Sequence, residues 1–315
     1  MNLTRIPGIK HYLPPGDGML TGLDGRVKIP LDGIPIPLLE DDYHALEGLF
    51  PSYDAVGRGI YHALRIDPDC TNCRVYALIL NDGYPHFVSE LASQIIMLDN
   101  KDLDIPYLDR KINYLKIFIL LEPENSGLLL AAGMAFLDKG LRLETIHQVT
   151  ANIYQAEKFL LRGFSLSPAD ITIRHQLGEV SYILGKYEAV FSCWHGIIPA
   201  LDSDKGSELE RRLARISEGL IPRVPPVDYL EAIGGALALH GQGEFEEASA
   251  ILHDVLDDTL FCDEFPLPEI PYILGLCCKS LGMIKSAENC FIWAMKINPD
   301  FLAAATALET LRGKG

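Results

Sequence analysis

Residues 268–301 read PEIPYILGLCCKSLGMIKSAENCFIWAMKINPDF, and this stretch of 34 residues decides the fold. Its apolar residues recur at helical spacing on both sides of Gly282, which reads as two amphipathic helices joined by a turn. Leu274-Gly275 stand at the seventh and eighth positions, Ala287 at the twentieth, Phe291 at the twenty-fourth and Ala294 at the twenty-seventh. Gly275 and Ala287 are small residues, one on each side of the turn, and Phe291 is a large one. Pro299 ends the second helix, because proline lacks the N–H and restricts the residue before it.

The same punctuation stands elsewhere, in Ile66-Asp67-Pro68-Asp69, Leu121-Glu122-Pro123-Glu124 and Leu166-Ser167-Pro168-Ala169-Asp170. The polar residues after each proline suit the N-cap of a following helix. The order Leu-Gly, Gly-x-Phe/Tyr-Glu, Ala and Pro resembles the tetratricopeptide repeat (TPR), a pair of antiparallel helices in about 34 residues. Tyr229–Phe261 carries Gly243-Glu244-Phe245-Glu246-Glu247-Ala248, and Ile171–Asp204 carries Leu177-Gly178, Gly185-Lys186-Tyr187-Glu188 and Trp194. In Ser126–Asp170, extra residues around Leu141–Thr150 lengthen the connection between two helices. Upstream, Tyr53–Pro68 reads as a second helix with Leu38–Phe50 as its first, and Thr71–Asn125 is helical with one helix more than the pattern needs. The resemblance covers residues 37–312, and residues 229–312 are also similar to bacterial class II type III secretion chaperones, which hold apolar segments of translocator proteins. It implies an all-α fold: a TPR-like superhelix of antiparallel helix pairs, with an extended Pro/Gly-rich N-terminal arm.

Domain boundaries follow from composition. Residues 1–36 hold Pro14-Pro15-Gly16-Asp17-Gly18 and Ile29-Pro30-Leu31-Asp32-Gly33-Ile34-Pro35-Ile36, which favour extended and turn conformations. This arm either docks on the array's own groove or hangs loose. Residues 37–220 form a first array with insertions, ending in an amphipathic helix over Ser207–Leu220 that has no antiparallel mate. Ile221-Pro222-Arg223-Val224-Pro225-Pro226 breaks the array, and residues 228–315 form a second pair of repeats closed by a capping helix over Phe301–Leu311.

The chain of 315 residues is 48% hydrophobic and carries 43 acidic against 27 basic residues, a formal charge of −16. Such a surface repels phosphate backbones and anionic lipid, so neither nucleic acid nor membrane is an expected partner. The first residues lack a signal-length apolar run, and the longest apolar runs, residues 128–136 and 117–121, fall short of the roughly 20 needed for a span. Seven irregularly spaced cysteines read as reduced thiols, which places the protein in the cytoplasm.

Catalytic patterns are weak. Cys70-Thr71-Asn72-Cys73 is a lone Cys-x-x-Cys without the two further ligands of a zinc site, and Glu144-x-x-His147 lacks the second copy a di-iron site requires. Cys193-Trp194-His195 resembles a catalytic cluster only superficially, since Trp194 is a core position of its repeat. No phosphate-binding glycine loop, nucleophile elbow or His-Glu-x-x-His is present. The chain is expected to be non-catalytic and to need no cofactor or metal.

The TPR resemblance implies a concave face lined by the first helix of each pair. Carried onto this chain, it comprises Val75, Ile79, Leu130, Met134, Leu137, His175, Glu179, Tyr182, Ile233, Leu237, His240, Tyr272 and Lys279. The Lys/Asn/Lys/Arg set with which some TPR proteins clamp a terminal carboxylate is absent. An apolar groove with an acidic rim suits a protein or peptide segment that is apolar with basic flanks. The first functional reading is a binding scaffold or chaperone for such a segment. Self-association, or service as a recognition subunit for an enzyme on another chain, are the alternatives.

Overall fold

A computed structural model describes residues 4–22, 28–31, 33–46, 48–99 and 104–313. The chain forms two compact units, residues 1–135 and 136–315. The Pro-rich break at 221–226, read from composition as a domain junction, lies inside the second.

The first unit begins with the arm, whose described residues are extended and paired with themselves. Strands β1 (Ile9–Tyr12), β2 (Met19–Thr21), β3 (Lys28–Pro30) and β4 (Ile36–Leu39) form two antiparallel ladders, β1 with β4 and β2 with β3. In β4 Ile36, Pro37 and Leu38 are all buried, and Leu20 and Leu31 are buried as well. Helices α1 (Glu40–His44), α2 (Tyr53–Ile66), α3 (Cys73–Gly83), α4 (Pro85–Asp99) and α5 (Ile105–Leu121) follow. β4 packs on α2, and the two backbones approach so closely that a Cβ on Gly59 would stand 2.0 Å from the Pro37 carbonyl oxygen. Tyr76 of α3 donates its hydroxyl to the Pro35 carbonyl at 2.5 Å. The described part of the arm is thus paired in ladders and joined to α2 and α3. The helix expected over Leu38–Phe50 is replaced by the end of β4 and the five-residue α1, because Leu38 and Leu39 pair with β1 and Gly48 turns the chain at φ 84°. The extra helix expected in Thr71–Asn125 is present, with α3, α4 and α5 packed against one another.

Helix α6 (Ser126–Leu141) carries the division between the units. In the second unit a 3-10 turn (Leu143–Gln148) fills the lengthened connection read around Leu141–Thr150. It is followed by α7 (Val149–Leu166), α8 (Ile171–Ile183), α9 (Tyr187–Trp194), α10 (Ser203–Ser217), α11 (Pro226–Gln242), α12 (Phe245–Leu256), α13 (Thr259–Glu264), α14 (Glu269–Ser280), α15 (Ile284–Ile297) and α16 (Leu302–Arg312). Three hairpins, α8/α9, α11/α12 and α14/α15, carry the TPR pattern. Gly185, Gly243 and Gly282 make their turns in the left-handed region, at φ 69°, 88° and 75°. In two of the hairpins a glycine faces an aromatic ring sixteen residues later. A Cβ on Gly178 would stand 1.9 Å from Trp194 Nε1, and one on Gly275 would stand 2.6 Å from the Phe291 ring. Ala287 and Ala294 complete the close crossing of α14 and α15. The helix pairs are TPR-like. Helix α16 buries Ala304 and Leu308 against the last pair, in the place expected for the cap.

The stacking is irregular at α11. Instead of following α9, this helix packs on the 3-10 turn, on α7 and on α8. Gly234 permits this contact, since a Cβ there would lie 3.0 Å from the His147 backbone. Helix α10, read as lacking an antiparallel mate, packs on α9 and on the short turn Ile198–Ala200.

Candidate protein-interaction site

The thirteen positions carried over from the repeat phase fall into different environments. In the first unit Val75 and Leu130 are half-buried, Ile79 is buried, and Met134 is 43% exposed. In the second unit Leu137, His240, Tyr272 and Lys279 are half-buried. His240 meets Phe245 edge-on at 5.4 Å, and Tyr272 packs on Phe291 and Phe301.

His175, Glu179 and Tyr182 lie along α8, where Tyr182 is buried and the other two are half-buried. His175 Nε2 is 3.9 Å from Glu179 Oε1. Arg212, projecting from α10 and only 7% exposed, donates to both Glu179 oxygens at 2.8 and 3.0 Å. Its guanidinium lies 4.3 Å from the Tyr182 ring and 4.7 Å from the Trp194 ring. Arg212 Nε also stands 2.5 Å from Glu264 Oε1 of α13, with no hydrogen bond directed along that contact, so it is ionic. Arg215 reaches the other oxygen of Glu264 at 3.6 Å. Burial opposes the charge on Arg212, but Glu179 and Glu264 outweigh it and hold its pKa above the ordinary value. Burial, followed by the charge of Glu264, pushes the Tyr182 hydroxyl up to about 12. This cluster of charge and aromatic rings locks α8, α10 and α13 together and engages both Glu179 and Tyr182 within the chain. Repeat phase alone missed Arg212 and Glu264, whose visible signal was a helix without a mate followed by an insertion between α12 and α14.

Ile233 and Leu237 lie one turn apart on α11, but only one of them is accessible. Ile233 is buried, whereas Leu237 lines a cavity of about 430 Å³ between α11 and the 3-10 turn. Its walls are Leu143, Ile146, Gly234, Leu237 and Ala238, with Glu144 and His147 as the polar members. Leu143 remains partly exposed.

Burial raises the pKa of the cysteine thiols. Burial first, then the nearby Asp67, pushes Cys70 up to about 12, and burial raises Cys73 as well. Among the described residues, no group of three or more His, Cys, Asp or Glu side chains is placed to hold a metal ion. Among the described residues, no helix is long and apolar enough to cross a membrane.

No protein-family signature and no curated protein sequence matches the chain. Solved structures that are similar to it include YrrB, described as a TPR protein with an unusual peptide-binding site. It is 14% identical, with 72% of this chain and 91% of that chain covered at a TM-score of 0.24. A TPR protein from Parabacteroides merdae is 14% identical, covering 82% and 92% at 0.28. TTC0263 from Thermus thermophilus, also a TPR protein, is 13% identical, covering 71% and 98% at 0.27.

Proposed function

We propose that the protein is a non-catalytic, cytoplasmic binding scaffold that holds an apolar segment of a partner polypeptide. The observation that carries this reading is the Leu237 cavity. Repeat phase selects Leu237 as a ligand-facing position, and in the structure it lines a largely apolar recess within the size range of ligand pockets. One leucine or phenylalanine side chain seated there would gain roughly 1.5–3 kcal/mol from burial. Glu144 and His147 at the margin supply polar contacts to a peptide backbone.

The test places a photo-crosslinking residue at Ala238 and irradiates the protein in an extract of its native cells. A crosslinked foreign polypeptide, lost when Leu237→Asp is added, supports the scaffold. Crosslinking to a second copy of this chain alone would show self-assembly instead. Crosslinks unchanged by Leu237→Asp would remove the cavity from the argument.

A further inference from the structure

The insertion between α12 and α14 builds a second recess. In a regular array the second helix of one pair turns directly into the first helix of the next, as α7 turns into α8 through residues 167–170. Here residues 257–268 intervene and fold as α13 and the segment Phe265-Pro266-Leu267, wedged beside α15. The wedge encloses about 460 Å³ lined by Leu256, Cys262, Phe265, Leu267, Trp293 and Ile297, among others. Thr259 and Asp263 add polar atoms to an otherwise apolar wall.

Two features single out what fits there. The first is Trp293, 41% exposed on the outer side of α15, while Trp194 at the α8/α9 crossing is fully buried. A large amphipathic ring at the mouth of a recess is the usual anchor of a protein contact, and its face attracts cations. The second is charge. Between Arg223 and Lys279 the chain carries eleven carboxylates and neither lysine nor arginine. Four of these acids are engaged internally: Asp258 by Tyr229 and Arg223, Glu264 by Arg212, Glu231 by Thr150 and Asp254 by Arg223. Asp263 in the wall and Asp257 beside it remain exposed.

We propose that this recess is a second docking site, separate from the Leu237 cavity, for a polypeptide segment presenting one large apolar side chain flanked by lysine or arginine. The apolar group enters between Leu256, Phe265 and Ile297, while the flanking cation meets Trp293 and Asp263.

The two tryptophans provide the readout. In the full chain labelled with 5-fluorotryptophan, Trp293→Phe assigns the two fluorine resonances. Titration with the blocked pentapeptide Lys-Lys-Phe-Lys-Lys should shift the Trp293 signal and leave the Trp194 signal in place. The pentapeptides Glu-Glu-Phe-Glu-Glu and Lys-Lys-Ser-Lys-Lys should each bind at least tenfold more weakly. Asp263→Asn, at an exposed position, should weaken the lysine peptide about threefold, and added salt should do the same. A Leu237→Asp variant should bind it as the parent does. The proposal is overturned if Trp293 responds to none of the peptides, if basic and acidic peptides shift it equally, or if both tryptophans move together. A Trp293 shift that depends on protein concentration without peptide would name a second copy of the chain as the occupant and overturn it too.

Discussion

The hairpins α8/α9 and α14/α15 start from the same design and end with different surfaces. Each sets a glycine against an aromatic ring sixteen positions on, and each turns through a glycine with positive φ. Over α8, the insertion α10 brings Arg212 onto the ring of Trp194 and ties Glu179 and Glu264 to it. Beside α15, the insertion α13 stops short and leaves Trp293 at the mouth of a recess. The repeat determines how two helices cross, and the insertions determine which face stays open.

The sharpest way to break this comparison is to remove the two crossing rings. Trp194→Ala and Phe291→Ala should each cost about 3–5 kcal/mol in urea unfolding, with Trp194 the more damaging because Arg212 loses the ring beneath it. Next in size is the ionic cluster. Arg212→Ala leaves Glu264 buried beside Arg215 alone and should cost about 3 kcal/mol, whereas Arg212→Met combined with Glu179→Gln and Glu264→Gln should recover much of the loss. Equal stability of the single and triple variants would show that the cluster's charge balance is irrelevant. Smaller effects come from the glycines: Gly178→Ala and Gly275→Ala should cost about 1–3 kcal/mol by overpacking. The Gly178 variant should be worse, since the indole it meets also donates to the His175 carbonyl at 3.2 Å and is pinned by Arg212.

The smallest effect is a pH dependence. Burial alone would raise the Asp258 carboxyl, but hydrogen bonds from the Arg223 backbone, the Tyr229 hydroxyl and the Phe261 backbone outweigh it and hold its pKa below the ordinary 3.8. A depressed carboxylate stabilises the fold above its unfolded pKa of about 3.9 and loses that contribution as pH falls through the lower folded value. The stability gap between the parent and Asp258→Asn should therefore be full at pH 6 and shrink below pH 4. A gap constant down to pH 2 would contradict it.

Much of this architecture was legible because short-range rules govern it. The spacing of Gly275, Gly282, Ala287 and Phe291 specifies one hairpin completely, and the mateless amphipathic helix became α10. The cap became α16, and the long connection near Leu143 became a 3-10 turn. What stayed hidden depends on contacts distant in sequence. Nothing in the periodicity of α10 says that Arg212 will meet Glu264, 52 positions away. Nor does the pattern of α11 say that Gly234 will rest on His147. The pairing of Ile9–Tyr12 with Ile36–Leu39 spans a loop whose closure no local motif announces. The candidate site shares this division: Leu237 follows from phase, while Trp293 acquires its setting from an insertion.

The ladder between β1 and β4 has a practical consequence for anyone shortening the protein. Trimming residues 1–36 as a dispensable leader would remove β1 and Ile36 of β4, leaving Pro37–Leu39, which pack on α2, without their partner strand. An open strand edge is a template for aggregation. Lost solubility in such a truncated form would therefore report a torn sheet, and an apparent gain in stickiness toward other proteins would say nothing about a groove having been unmasked.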